Sequence, residues 1–219
     1  MLLYSIIIVV AYLLGSIPFG YILVKTFRGE DIRLTGSGNI GATNVARSGA
    51  KGLGVATLLL DALKGTCAVW IAHALGNSSY NSCGGSPCIP VTRLMASAAL
   101  AAVLGHMFPV WLKFRGGKGV ATAVGCFFVL FPVAMLISLG FFLLIVALTR
   151  YISLGSMLAA IAFPILAYFV EGAHLPSVML VSAISLLIII KHHQNIRRLL
   201  AGNENRLGGK KTSTAGDTA

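Results

Sequence analysis

Acidic side chains are almost missing from this chain, which has six Asp and Glu against 17 Lys and Arg in 219 residues. Charged residues of both signs make up 11% and hydrophobic ones 57%, whereas a soluble domain carries about 25% charge. That deficit excludes an ordinary soluble enzyme. Polar–apolar alternation is also lacking, which excludes an outer-membrane barrel. The first apolar run, Leu2–Val24, has no basic segment before it and is too long for a signal core, so it reads as a retained helix. No His, Cys or carboxylate cluster has metal-ligand spacing, so neither a metal nor another cofactor is expected. The net charge of +11 would point to nucleic acid in a soluble protein. Here it follows from Lys and Arg loading one membrane face, and no nucleic-acid partner is expected.

What is present is a series of apolar runs at Leu2–Val24, Leu53–Leu75, Leu94–Trp111, Val120–Leu148, Ile152–Val170 and Pro176–Ile190. Bilayer-length runs of this kind define an all-α polytopic membrane protein. Basic residues gather in 25–51, in 112–119 and from Lys191 onward, and none falls in 76–92. The positive-inside rule then puts the three basic segments in the cytoplasm and the loop around Asn77–Pro90 outside. Six passes cannot satisfy this arrangement. The run 120–148 would be roughly 43 Å long as one helix, against an apolar core of about 30 Å. Splitting it near Pro132 gives about seven transmembrane helices, with a periplasmic N-terminus and a cytoplasmic C-terminus. A single tilted, kinked helix is the alternative. Residues 1–206 read as one domain, and the polar 207–219 as a disordered cytoplasmic tail.

Three glycine-rich, cation-bearing segments interrupt the apolar runs. In the first, 36–44, small residues let a backbone approach an anion. Ser37, Asn39, Thr43 and Asn44 add polar side chains there, and Arg47 adds a bidentate cation. A flexible connector with a helix cap is the plainer alternative. The second, Lys113-Phe-Arg-Gly116-Gly117-Lys118-Gly119, lacks the Gly-Lys-Ser/Thr ending of a nucleotide-binding loop. Glycines ahead of an apolar helix still make an anion site, because free N–H groups face the ligand; a simple basic anchor is the alternative. In the third, His192 and Asn195 share a helix face at a spacing of three, and Arg198 continues it. An amphipathic tail on anionic lipid would look similar. Glu204 is the lone acid in that basic stretch.

Asp61 and Lys64 fall at i and i+3 in the second run, where a charge is costly enough that the two are expected to pair. His106 reads as a hydrogen-bonded buried histidine, and Ser153 and Ser156 as small residues at a helix contact. Cys67 and Cys126 are expected to be buried and inert. Cys83 and Cys88 lie in the outer loop, where a disulfide is compatible with an oxidising periplasm but spacing does not decide it.

Taken together these residues resemble the PlsY family of bacterial membrane acyltransferases. The likeness runs through Gly15-Ser-Ile-Pro-Phe-Gly20, Ser37-Gly-Asn-Ile-Gly-Ala-Thr-Asn-Val-Ala-Arg47 and Asp61-Ala-Leu-Lys64-Gly65. It continues through Gly105-His-Met-Phe-Pro109, Gly116-Gly-Lys-Gly119 and His192-His-Gln-Asn195, leading to Gly202 and Glu204. The outer loop 77–90 is the main departure.

The resemblance implies a seven-helix enzyme of the bacterial inner membrane with its active site on the cytoplasmic face. It implies acyl transfer from acyl phosphate to the sn-1 hydroxyl of glycerol 3-phosphate, giving lysophosphatidate and phosphate, the first step of phospholipid synthesis. Membrane lipid and a soluble enzyme that hands over acyl phosphate are the implied partners. Ser37, His192 and Asn195 would position the attacking hydroxyl or hold the oxyanion. Arg47, Lys118, Gly116, Gly117, Gly119, Asn39, Thr43 and Asn44 would bind substrate phosphate, with Lys113, Ser153, Ser156, Arg198 and Glu204 as further members. A phosphate transporter would show an inverted repeat and broken helices near the midplane, and no clear repeat occurs. An acyl-CoA-dependent enzyme would resemble its class through His, four residues, then Asp, which no His here satisfies.

Overall fold

Helices alone organise the described residues, 2–82 and 90–208, of this computed structural model. Cys83 and Cys88, and with them any disulfide, lie outside the described residues, as do residues 209–219 of the expected tail. The first span is broken: α1 (Leu2–Ser16) gives way at Ile17–Pro18 to α2 (Phe19–Arg28). Proline has no N–H to continue the ladder. The Leu14 carbonyl accepts from Ile17 N at 3.2 Å, and the Ile17 carbonyl from Phe19 N at 3.1 Å and Lys64 Nζ at 2.7 Å.

A short α3 (Ala42–Arg47) is followed by α4 (Lys51–Ser82), α5 (Val91–Met107), α6 (Val120–Leu130), α7 (Pro132–Thr149), α8 (Ile152–Glu171) and α9 (Leu175–Lys191), and α10 (His193–Leu200) closes the order. Five spans among the described residues are long and apolar enough to cross a membrane, and α9 with α10 makes a sixth if that pair, bent by 54°, is one span. The remaining apolar helix, α6, is about 16 Å long and falls short of a bilayer's apolar core.

The run 120–148 is therefore two helices meeting at Phe131, with Pro132 opening the second. Proline suits a first helical position because its missing N–H would have no partner there. The next two N–H groups, of Val133 and Ala134, donate to Glu171 Oε1 at 2.6 and 3.1 Å. A carboxylate at the end of α8 thus caps α7 and holds the turn.

Packing centres on α5, which touches α1, α4, α6 and α9. Its span is 67% buried, whereas α7, on the lipid side, is 17% buried. Alanines 96, 98, 99, 101 and 102 are all buried and keep its surface thin. A Cβ on Gly15 would fall 2.0 Å from Ala102 O, and one on Gly105 would fall 2.2 Å from Tyr12 O. The α1 and α5 backbones therefore touch, the kind of contact that holds helices together where lipid supplies no hydrophobic drive. Phe127 of α6 stacks on Phe163 of α8 with ring centroids 3.8 Å apart. With α5 seated this firmly, the loop leaving its C-terminus has a fixed base.

Candidate active site

The third segment does not continue straight out of α9. His192 sits at the 54° bend between α9 and α10, so it occupies a hinge and Asn195 the first turn beyond it. This revises the expectation that spacing alone puts both on one regular helix face. His192 Nδ1 lies 2.7 Å from the Ile188 carbonyl. A carbonyl only accepts, so Nδ1 carries the hydrogen, and in the neutral ring Nε2 holds the lone pair. Both His192 and Asn195 are buried.

Beyond α10 the chain folds back along the start of α8. Leu207 N donates to Arg150 O at 2.7 Å, and Arg150 Nε donates to Leu207 O at 3.0 Å. Arg206 Nε donates to the Tyr151 hydroxyl at 3.0 Å. This return brings Glu204 under α10. Its Oε1 accepts from Ser153 Oγ at 2.8 Å and from Asn195 Nδ2 at 2.7 Å. Its Oε2 accepts from Arg198 Nε at 2.6 Å. Burial alone would raise the Glu204 pKa, but those three donors and the Arg198 charge outweigh it and hold the carboxyl below its ordinary value.

Asn195 has its amide oriented by that carboxylate, and its Oδ1 accepts from Lys118 Nζ of the glycine segment. Lys118 is pulled down to about 8, first by burial and then by the positive charges of Arg198 and Arg47, with Glu204 opposing. Arg47, at the end of α3, is half-buried and feels the charges of Glu204 and Arg198. Four separated segments thus place three cations, one carboxylate, a serine, an asparagine and a histidine together. The excess of positive charge in a partly desolvated place fits a multiply charged phosphate.

The glycine segment is tied to the end of α5. Gly117 N donates to His106 O at 3.0 Å and Gly116 N to Met107 O at 3.2 Å. Met107 O also accepts from Lys191 Nζ at 3.2 Å, and that ammonium stands 4.0 Å from the centre of the Phe108 ring. Gly119, at φ +82, turns the chain into α6, whose first N–H groups have no partner within the helix. From sequence Lys191 is only one of the basic residues of the tail, and the contact with Met107 is set by the fold.

In the first segment Asn44 is spent on the loop itself. Its Nδ2 lies within hydrogen-bond distance of the Ile32, Thr35 and Asn39 carbonyls at 3.3, 3.0 and 2.8 Å, and its Oδ1 accepts from Ser37 N at 2.9 Å. Asn44 therefore braces the loop, with its amide hydrogens turned to backbone carbonyls. Asn39 Oδ1 likewise accepts from Gly41 N at 2.8 Å. Ser37 and Thr43 are exposed, with hydroxyls unpartnered among the described residues. Two further members stand outside the network. Ser156 Oγ donates to Ile152 O of its own helix at 2.9 Å, and Lys113 is exposed at a left-handed turn, φ +51.

A family model described as glycerol-3-phosphate acyltransferase matches residues 5–202. A curated relative of that name from Syntrophotalea carbinolica is 49% identical over 204 residues, 93% of this chain and 97% of its own. Another from Nitrobacter winogradskyi is 47% identical over 199 residues, 91% and 93% of the two chains. The fold is similar to a crystal structure of PlsY, described as an integral membrane glycerol 3-phosphate acyltransferase, in its glycerol 3-phosphate form. That match has a TM-score of 0.81 and 41% identity, and covers 94% of this chain and 96% of the other.

Proposed function

This chain belongs to the glycerol-3-phosphate acyltransferase (PlsY) family, and from that premise we propose that it moves a fatty acyl group from acyl phosphate to the sn-1 hydroxyl of glycerol 3-phosphate. As a member it is an integral membrane acyltransferase of phospholipid biosynthesis. The donor, the position acylated and the roles of single residues are our reading. One observation carries it: Lys118, Arg47 and Arg198 gather around the Asn195–Glu204 pair, an excess of cations suited to two phosphates approaching each other.

In this reading the acceptor's hydroxyl oxygen attacks the acyl carbonyl carbon. The new C–O ester bond forms as the bond from that carbon to the phosphate oxygen breaks. Inorganic phosphate leaves with both bonding electrons, and the hydroxyl proton goes to His192 Nε2 or to a phosphate oxygen. Lys118, Arg47 and the N–H groups of 116–119 hold phosphate charge. Ser37, His192 and Asn195 align the hydroxyl or the oxyanion, and Asn39 and Thr43 line the approach. In this reading the chemistry lies on the cytoplasmic face of the inner membrane, with the N-terminus outside and the C-terminus inside, which the clustering of the basic segments supports. Glycerol 3-phosphate would arrive from the cytosol, and acyl phosphate from a soluble enzyme that makes it.

The test is purified protein with palmitoyl phosphate and labelled glycerol 3-phosphate. Labelled 1-acylglycerol 3-phosphate is the expected product. No product, or equal turnover with palmitoyl-CoA, overturns the reading.

A further inference from the structure

Beneath the glycine loop lie three buried ionisable side chains that the reaction does not use: Asp61, Lys64 and His106. Lys64 Nζ is 2.8 Å from Asp61 Oδ1, so the pair expected from sequence is formed. The same oxygen lies 3.6 Å from His106 Nδ1. Charged groups inside a membrane span are expensive to insert and tend to serve a role. The opposite edge of the His106 ring shows what that role is. A Cβ built on Gly117 would fall 2.0 Å from His106 Nε2, and one on Gly116 would fall 2.1 Å from His106 O. Gly117 N donates to that same carbonyl. The loop backbone therefore lies directly on the imidazole, held from below by ring and carbonyl together.

We propose that His106, oriented by the Asp61–Lys64 pair, is a positioning residue that seats Gly116–Gly117 and so sets where Lys118 and the loop N–H groups meet the acceptor's phosphate. The proposal rests on the reading that this loop binds glycerol 3-phosphate. Lys64 is anchored on the Ile17 carbonyl at the broken first span and paired with Asp61. Asp61 faces His106 across 3.6 Å, beyond hydrogen-bond length, so it acts on the ring through charge. His106 carries Gly117, one residue before Lys118. All three side chains are buried beneath the loop, so their effect is one of placement. Small displacements of binding groups weigh heavily on a reaction that depends on alignment.

The experiment compares Asp61→Asn, Gly117→Ala, His106→Ala and the Gly117→Ala/His106→Ala double variant in detergent. For each, KM for both substrates, kcat and the unfolding temperature are measured. Asp61→Asn is expected to raise KM for glycerol 3-phosphate about tenfold while KM for acyl phosphate stays within about twofold. Gly117→Ala is expected to raise the same constant, and to do so at least about threefold less when His106 is already Ala, because the ring it strikes is gone. Additive effects of the two substitutions overturn the proposal, as does an Asp61→Asn protein with a lower unfolding temperature and unchanged KM values. If Asp61→Asn does not accumulate, the Gly117–His106 cycle decides alone. A normal KM for glycerol 3-phosphate in Gly117→Ala removes the loop reading and this inference with it. A raised value there beside a normal one in Asp61→Asn removes this inference only.

Discussion

Asn195 Nδ2 donates to Glu204 Oε1 across 2.7 Å, which leaves the amide oxygen facing Lys118, from which it accepts. The amide cannot flip without setting its NH2 against the ammonium and its oxygen against the carboxylate. One buried acid thereby fixes the direction in which Asn195 meets the ammonium of the glycine loop.

Removing that acid should uncouple the site. Glu204→Ala strands the buried donors of Ser153 and Asn195 and leaves the half-buried Arg198 without its partner, and loss of one partner of a charged, buried hydrogen bond costs about 2 kcal/mol. The expected result is a lower unfolding temperature in detergent together with at least about a tenfold loss of kcat/KM. Glu204→Gln keeps an acceptor and should recover most of the stability and little of the activity, since the excess cations lose their counter-charge. Equal stability in Glu204→Ala and the parent protein would show that the network does not hold the third segment in place.

The pH profile follows from Lys118. Its pKa in the free protein is lowered to about 8, so the ammonium is complete below that value and is lost as pH rises through it. With glycerol 3-phosphate varied, kcat/KM, which reports groups of the free enzyme, should fall above about pH 8. Lys118→Arg stays charged through that range and should flatten the limb. An unchanged limb in that variant assigns it to another group.

Topology is open to a single label. Pro132 is exposed at the turn between α6 and α7. In a chain whose Cys83 and Cys88 are replaced by serine, Pro132→Cys should react with an impermeant thiol reagent in sealed cells. Labelling only after lysis would place that turn in the cytoplasm and reverse the orientation proposed here.

Much of this was legible in the residues, and the legible parts share a cause. Span-length apolar runs, clustered cations and Pro132 act locally, so the all-helical membrane class and the break in 120–148 could be read without a structure. Arg47, Lys118, His192 and Asn195 stood out because glycine and polar residues are costly to keep among hydrocarbon. Ser153 and Glu204 were harder to rank, because a serine near a helix start normally serves packing, and a lone acid in a basic tail names no partner. Asn44 has a residue type that suits either a ligand or a loop brace, and only the structure shows its amide bonded to the loop itself.

By itself, then, the sequence determined that this protein lives in a membrane, where its cations cluster, and which short segments are built to meet an anion; these depend on composition and near-neighbour spacing. Only the tertiary structure decided that Lys118 meets Asn195 across 77 residues, that Ser153 meets Glu204 across 51, and that His106 lies under Gly117. Those partners come together because α5 packs tightly at the centre and the chain after α10 folds back along α8, and no local pattern encodes which distant backbone will arrive there.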